Sequence, residues 1–182
     1  MSGTKTLTKD DWLRAAMELL RTRGIGGVRV LPLAKELGVS RGSFYWHFED
    51  RDELLRCMLD WWDREMTDGV IHVVNGSSGS PRARLVTVAE DVVRFDRNRY
   101  EAAIRTWADG DKRVAKTLKR VVNKRLDYVT SLFREAGFSP AEARARGDLL
   151  AVYIMSEDSI LADETVETRL RLLRRQIRLL TE

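Results

Sequence analysis

The eighteen residues from Leu31 to Phe48, LPLAKELGVSRGSFYWHF, constrain the fold more than any other stretch of the chain. They describe two short helices joined by a tight turn. Leu33, Leu37, Val39, Phe44 and Phe48 supply apolar positions, and Ala34 is small enough to let two helices cross closely. Gly38 stands where the first helix ends, because glycine enters the left-handed conformation without a Cβ clash. Two residues on, Ser40 is placed to cap the next helix through its hydroxyl. Helix, glycine turn and capped helix make the helix-turn-helix pattern.

The second of these helices has two different sides. At about 100° per residue, Phe44 and Phe48 point one way, while Gly42, Ser43 and Trp46 point roughly the other, flanked by Tyr45 and His47. Arg41 falls at the positive, N-terminal end of the helix, where phosphate binds well. A small gap, a hydroxyl, aromatic edges and an arginine suit the major groove of duplex DNA. The plainer alternative is an interhelical turn over a core. It accounts for Phe44 and Phe48 but leaves the agreement of turn, cap and outward polar face to coincidence.

GVSRGSFYWHF, followed by EDRDELL, resembles the signature of the tetracycline-repressor (TetR) family of transcription regulators. More loosely, RTWADGD (Arg105 to Asp111) and FREAGFSPAEA (Phe133 to Ala143) are similar to segments of that family's regulatory domain. The resemblance implies a homodimeric, all-helical, ligand-responsive repressor. In such a protein a small, largely apolar or aromatic effector enters the helical body and shifts the helix linking it to the DNA reader. Family members often carry a hydroxyl or basic residue at the start of the motif and a lysine just after the recognition helix. Here Val30, Leu31 and Pro32 stand at the first place, and Glu49-Asp50 precede Arg51 at the second. Arg51 is therefore expected to carry the phosphate role there alone, with Glu49 and Asp50 turned away.

The expected DNA contacts are Arg41, Gly42, Ser43, Tyr45, Trp46, His47 and Arg51. Arg41, Ser43 and Trp46 lie nearer the base edges, Tyr45 and His47 nearer phosphate, and Gly42 permits close approach. Charge agrees. Residues 1–47 carry eight Lys or Arg (Lys5, Lys9, Arg14, Arg21, Arg23, Arg29, Lys35, Arg41) against four acids, an excess equal to the +4 of the whole chain. The basic footprint is local to the module expected to meet a polyanion. A solvated basic face is the competing reading, and charge alone does not separate the two.

Several classes are excluded. With His47 and His72 the only histidines, no HExxH or Cys-His cluster exists, and no glycine loop follows a strand, so neither an enzyme, a cofactor nor a metal site is expected. NGSSGS (Asn75 to Ser80) lacks the GK[ST] ending of a phosphate loop and reads as a surface loop. Cys57 is the single cysteine, so no internal disulfide is possible, and its apolar neighbours suggest a buried small hydrophobe. No apolar run long enough to span a bilayer and no signal-peptide core appear, so a soluble, cytoplasmic protein without membrane contact is expected.

The remaining chain reads as helices, with no segment of β period. Thr8 and Asp11 open a first helix that runs to Arg23-Gly24. Further helices are expected over about Asp50–Val74, Pro81–Asn98, Arg99–Ala108, Asp111–Ala136, Pro140–Leu161 and Glu164–Leu180. Pro32, Pro81 and Pro140 each sit near a predicted helix start. The expected architecture is all-α: a three-helix DNA-binding domain over residues 1–50 and a larger helical ligand-binding and dimerisation domain over 51–182.

Two features of the larger domain bear on partners. Val166, Leu170, Leu173, Ile177 and Leu180 recur at intervals of 4, 3, 4 and 3, the seam that packs helix on helix. Such a stripe either covers its own domain or forms a dimer interface. The preceding helix is apolar on more than one face, so two helices from each of two chains make a four-helix interface with Tyr153, Val166, Leu170, Leu173 and Ile177 in it. Large apolar groups also concentrate mid-chain. Trp62, Met66, Phe95, Trp107, Tyr128 and Tyr153 either line an effector cavity or fill a core. If they only fill a core, the body is instead a docking site for a partner protein.

Overall fold

The computed structural model describes residues 7–182, and every regular element among them is helical. Packing divides the chain into two compact units. One comprises the residues up to Asp63 together with Arg99–Leu118, the other Arg64–Asn98 with Lys119–Glu182. The first unit thus runs on through Asp63 and also takes in a later helix.

In the first unit, α1 (Lys9–Gly27) starts at a reciprocal capping box. The Thr8 hydroxyl accepts from the Asp11 N–H, and the Asp11 carboxylate accepts from the Thr8 N–H at 2.8 Å. Trp12, Ala16, Met17 and Leu20 line its buried face. The helix is broken at Gly24 (φ 64°), in agreement with the expected end, and the chain turns into α2 (Val30–Glu36). Gly38 (φ 68°) closes α2 in a Schellman arrangement, with Val39 N–H on the Ala34 carbonyl at 3.0 Å and Gly38 N–H on that of Lys35 at 3.2 Å.

The second helix of the motif is one short 3-10 segment, Arg41–Trp46, followed by α3 (Arg51–Asp63). Trp12 meets Phe44 edge-on at 5.7 Å, and Phe44 meets Phe48 at 5.2 Å. These rings anchor the segment, and Leu54, Met58 and Trp62 of α3 are buried too, each such side chain worth about 1.5–3 kcal/mol of burial. Helix α6 (Glu101–Gly110) packs on α1, and the Tyr100 hydroxyl preceding it donates to Glu18 Oε1 at 2.7 Å.

The second unit opens with a π segment, Arg64–Asp68, followed by α4 (Gly69–Gly76) and α5 (Pro81–Arg94). A single regular helix over Asp50–Val74 is thus not found. Asn75 and Gly76 also belong to α4, leaving a shorter loop whose Ser80 caps α5 by accepting from Ala83 N–H at 3.2 Å. Helix α7 (Lys112–Glu135) contributes from Lys119 onward, and α8 (Pro140–Ile160) and α9 (Val166–Thr181) complete the unit. Ser139 and Glu142 form a second capping box at α8.

Helix α5 packs extensively on α9, and the core joins Leu85, Val88 and Val92 to Phe133, Leu150, Ile154, Leu170, Leu173 and Ile177. Leu170, Leu173 and Ile177 of the α9 stripe are buried in this core of their own chain. Cys57 is half-buried rather than fully enclosed.

Candidate nucleic-acid interface

The Arg41–Trp46 segment presents its polar side outward because its two phenylalanines have nowhere else to go. Phe44 and Phe48 are buried, while Arg41, Gly42 and Tyr45 are exposed and Ser43 and His47 partly so. Trp46 is 88% exposed, an unusual setting for an indole in a folded module. The Arg41 guanidinium donates to the Tyr45 hydroxyl at 3.1 Å, which aligns the two on one side of the turn. His47 leans on Trp12 with ring centres 6.0 Å apart. Six of the seven residues expected at DNA are therefore brought onto one surface strip.

Two local expectations are corrected. Ser40 occupies the N-cap position with extended backbone, but its hydroxyl caps no backbone N–H. In the tighter 3-10 winding the Ser43 N–H already reaches the Ser40 carbonyl at 3.1 Å, so the hydroxyl is left 3.4 Å from that of Ser43. Arg51, expected at a phosphate, is directed at the end of α1 instead. Its Nε donates to the Val28 carbonyl at 2.6 Å and a terminal nitrogen to that of Ile25 at 3.0 Å.

The two acids after the recognition segment have defined positions. The Asp50 carboxylate accepts from the Glu53 N–H at 2.8 Å at the start of α3. The Glu49 N–H in turn donates to Glu53 Oε2 at 2.6 Å, and that bond, with the Lys9 ammonium at 3.0 Å, holds the Glu53 carboxyl below its usual range. Lys9 also lies 4.8 Å over the Phe48 ring. Part of the basic footprint is thus spent inside the module: Lys9 on Glu53, Arg21 on Glu18 at 2.8 Å and Arg23 against Glu36 at 4.0 Å. Lys5 lies outside the described residues.

The residues expected around an effector are divided between the two units. Trp62 and Trp107 are buried in the first unit. Phe95 is 56% exposed, with the Arg97 guanidinium 5.2 Å over its ring, and Tyr153 is partly buried against the second unit's core. Met66 and Tyr128 line a common cavity. That cavity lies within the second unit, where Thr67, Val88, Asn98, Arg125, Ile154 and Met155 are among its other walls. None of these was expected to line a cavity, because a search for large aromatics passes over aliphatic and polar linings. Among the described residues no cluster of His, Cys, Asp or Glu is placed to hold a metal, and no helix is long and apolar enough to cross a membrane.

On the proposed dimer surface, Val166 is exposed, but Leu170, Leu173 and Ile177 are not. A different set is: Leu149 (63% exposed), Val152 (59%) and Ile160 (64%) lie along α8, with Ala141, Ala145 and Ser156 completing an uncharged stripe. Leu172 and Leu179 are exposed on α9.

A capped first helix, a glycine-turned second and an aromatic-anchored third with a polar outer strip define a helix-turn-helix module on an all-helical body. Residues 13–58 match the family described as bacterial regulatory proteins, tetR family. The N-terminal quarter of the chain is thus similar to the DNA-binding domain of that family. The chain is 26% identical over 132 residues to the tetracycline repressor protein class A from transposon 1721 of Escherichia coli, covering 72% of this chain and 56% of that one. With the transcriptional regulator AcrR of Shigella flexneri it shares 27% identity over 96 residues, covering 50% and 45% of the two chains. The matches thus span about half the length of these relatives. In fold, a TetR-family regulator from Streptomyces coelicolor superposes with a TM-score of 0.76 at 21% identity, over 93% of this chain and 86% of that one. A TetR regulator from Legionella pneumophila does so with a TM-score of 0.76 at 14% identity, over 98% and 97%.

Proposed function

We propose that this protein is a DNA-binding transcription regulator, a repressor that binds a palindromic operator as a homodimer and is released by a small apolar effector. The observation that carries the reading is the outward strip of Arg41, Gly42, Ser43, Tyr45, Trp46 and His47 on a buried Phe44–Phe48 anchor. A tryptophan exposed to water costs solubility without helping the fold, and a base-lined groove gives it and the neighbouring arginine a use. Arg41 and Trp46 read base edges, while Tyr45 and His47 position on phosphate.

Pairing follows from the uncharged α8 stripe. Leu149, Val152 and Ile160 leave apolar surface over three turns of one helix, and a second copy related by a twofold axis covers it with itself. A dimer of this kind sets two recognition segments on one face of the duplex, about 34 Å or a multiple apart, so the operator has dyad symmetry. The effector acts only by binding the DNA-fitting and non-fitting states unequally. Selecting bound duplexes from random DNA tests the reading. Enriched paired half-sites are expected, and Arg41→Ala lowers both affinity and discrimination.

A further inference from the structure

Beyond residue 47 the charges balance as a whole but not locally. Residues 112–125, KRVAKTLKRVVNKR, hold seven Lys or Arg and no acid, and they open α7. The first two turns of that helix belong to the first unit, together with the recognition segment. Lys112, Arg113 and Lys116 are all exposed there. At about 100° per residue they share one side of the helix, with Lys116 falling between the other two.

Arg113 ties this side of α7 to the recognition module. Its guanidinium donates to Asp52 Oδ2 at 3.3 Å, in the first turn of α3 and just past the Arg41–Trp46 segment. The same carboxylate accepts from Arg56 at 3.1 Å. Asp111 is occupied as well, accepting from the Arg113 backbone N–H at 2.8 Å and from its guanidinium at 3.3 Å. Two acids thus meet two arginines at this joint, and Lys112 and Lys116 are left over. Neither ammonium has an ion pair or hydrogen bond among the described residues.

The fold alone gives these two cations no use. Lys112 stands in a first helical turn that holds no acid, where the macrodipole disfavours positive charge. It is also four residues from Lys116, so like charges neighbour each other across one turn. Both effects oppose the free protein and reverse in sign when an anion covers the pair. The first unit already offers the Arg41–His47 strip to a duplex, and the Asp52 joint sets the start of α7 against the helix that follows that strip. An ammonium on a flexible stem is a point charge without a planar fork, which suits a phosphate better than a base edge.

We infer that Lys112 and Lys116 contact backbone phosphates flanking the base pairs read by the Arg41–His47 strip, so that α7 supplies a second DNA-binding surface. It adds affinity without sequence preference, because phosphate is the same at every step. This rests on the regulator reading for the presence of a duplex.

Fluorescence anisotropy of the full chain across a salt series tests it, with a duplex selected from random DNA and a scrambled one. In Lys112→Gln and Lys116→Gln the slope of log affinity against log salt should each be shallower by about 0.9 per copy bound, and by twice that in the double variant. The loss should be equal on selected and scrambled duplexes, whereas Arg41→Ala narrows the gap between them. Trimming the base pairs outside the half-sites should weaken the wild type and leave the double variant unchanged. Arg134→Gln removes the same charge from the last turn of α7, in the second unit, and should keep the wild-type slope. Unchanged slopes in both lysine variants, the result if an acidic protein or a lipid surface covers this face instead, overturn the inference. A slope lowered equally by Arg134→Gln does so too. A wild type that binds no duplex at low salt defeats the regulator reading as well, while one that binds and shows unchanged slopes in the variants defeats this inference alone.

Discussion

The Nε of Arg51 donates to the carbonyl of Val28 at 2.6 Å, across twenty-three residues of sequence, and the same guanidinium reaches the Ile25 carbonyl at 3.0 Å. Both acceptors belong to the end of α1, where a helix leaves carbonyls unsatisfied and favours positive charge. Arg51 therefore pins the corner between α1 and α2. Arg51→Gln is expected to cost about 1–2 kcal/mol in urea unfolding, the scale of hydrogen bonds to a charged group on a partly exposed side chain. The salt dependence of operator binding should keep its slope. A slope shallower by about 0.9 would move Arg51 onto a phosphate instead.

Trp46 separates binding from folding. At 88% exposure it contributes little to the core, so Trp46→Ala should leave the unfolding midpoint within about 0.5 kcal/mol of wild type. Operator affinity should fall at least tenfold, the scale of losing a base-edge contact. Fluorescence anisotropy with a selected duplex measures the second quantity.

The α8 and α9 helices predict opposite outcomes for two leucines. Leu173 is buried in the core, and Leu173→Ala should destabilise the protein by about 2–5 kcal/mol. Leu149 is exposed on the α8 stripe, and Leu149→Asp should leave the fold intact but yield a monomer by light scattering. A dimer that persists in Leu149→Asp would place the interface elsewhere.

The Tyr100–Glu18 bond gives a pH dependence at both ends. Burial first, and then the Glu18 carboxylate, push the Tyr100 phenol above its ordinary 10.0. For Glu18, burial opposes the charged form, but hydrogen bonds from Tyr100 and Arg21 outweigh it and hold the carboxyl below 4.5. A raised phenol stabilises the fold below pH 10, and that contribution is lost as the pH climbs further. The lowered carboxylate stabilises above 4.5, and its share is lost as the pH falls below that value. The urea midpoint should decline beyond both limits, and Tyr100→Phe should flatten the alkaline decline.

Helix starts were legible from the chain because capping is local chemistry. Thr8–Asp11, Pro140 at the start of α8 and the glycine turn at Gly38 need only their near neighbours. The outward strip from Arg41 to His47 was legible for the same reason: two buried phenylalanines at a spacing of four fix which side faces out. Ser40 misled because the segment winds as a 3-10 helix, in which the carbonyl takes the bond its hydroxyl was expected to make. At Leu170, Leu173 and Ile177 the period reports a buried face without saying what buries it. The cavity was invisible for a related reason, since its polar groups Thr67, Asn98 and Arg125 come from a π segment, a turn and a helix that only packing unites.

Selection of bound duplexes from a random pool, carried out with the wild-type chain, tests the central claim most directly. The account predicts enriched half-sites in inverted repeat, spaced by about one helical turn or a multiple. No enrichment at low salt, or a bound sequence without a dyad, would contradict it.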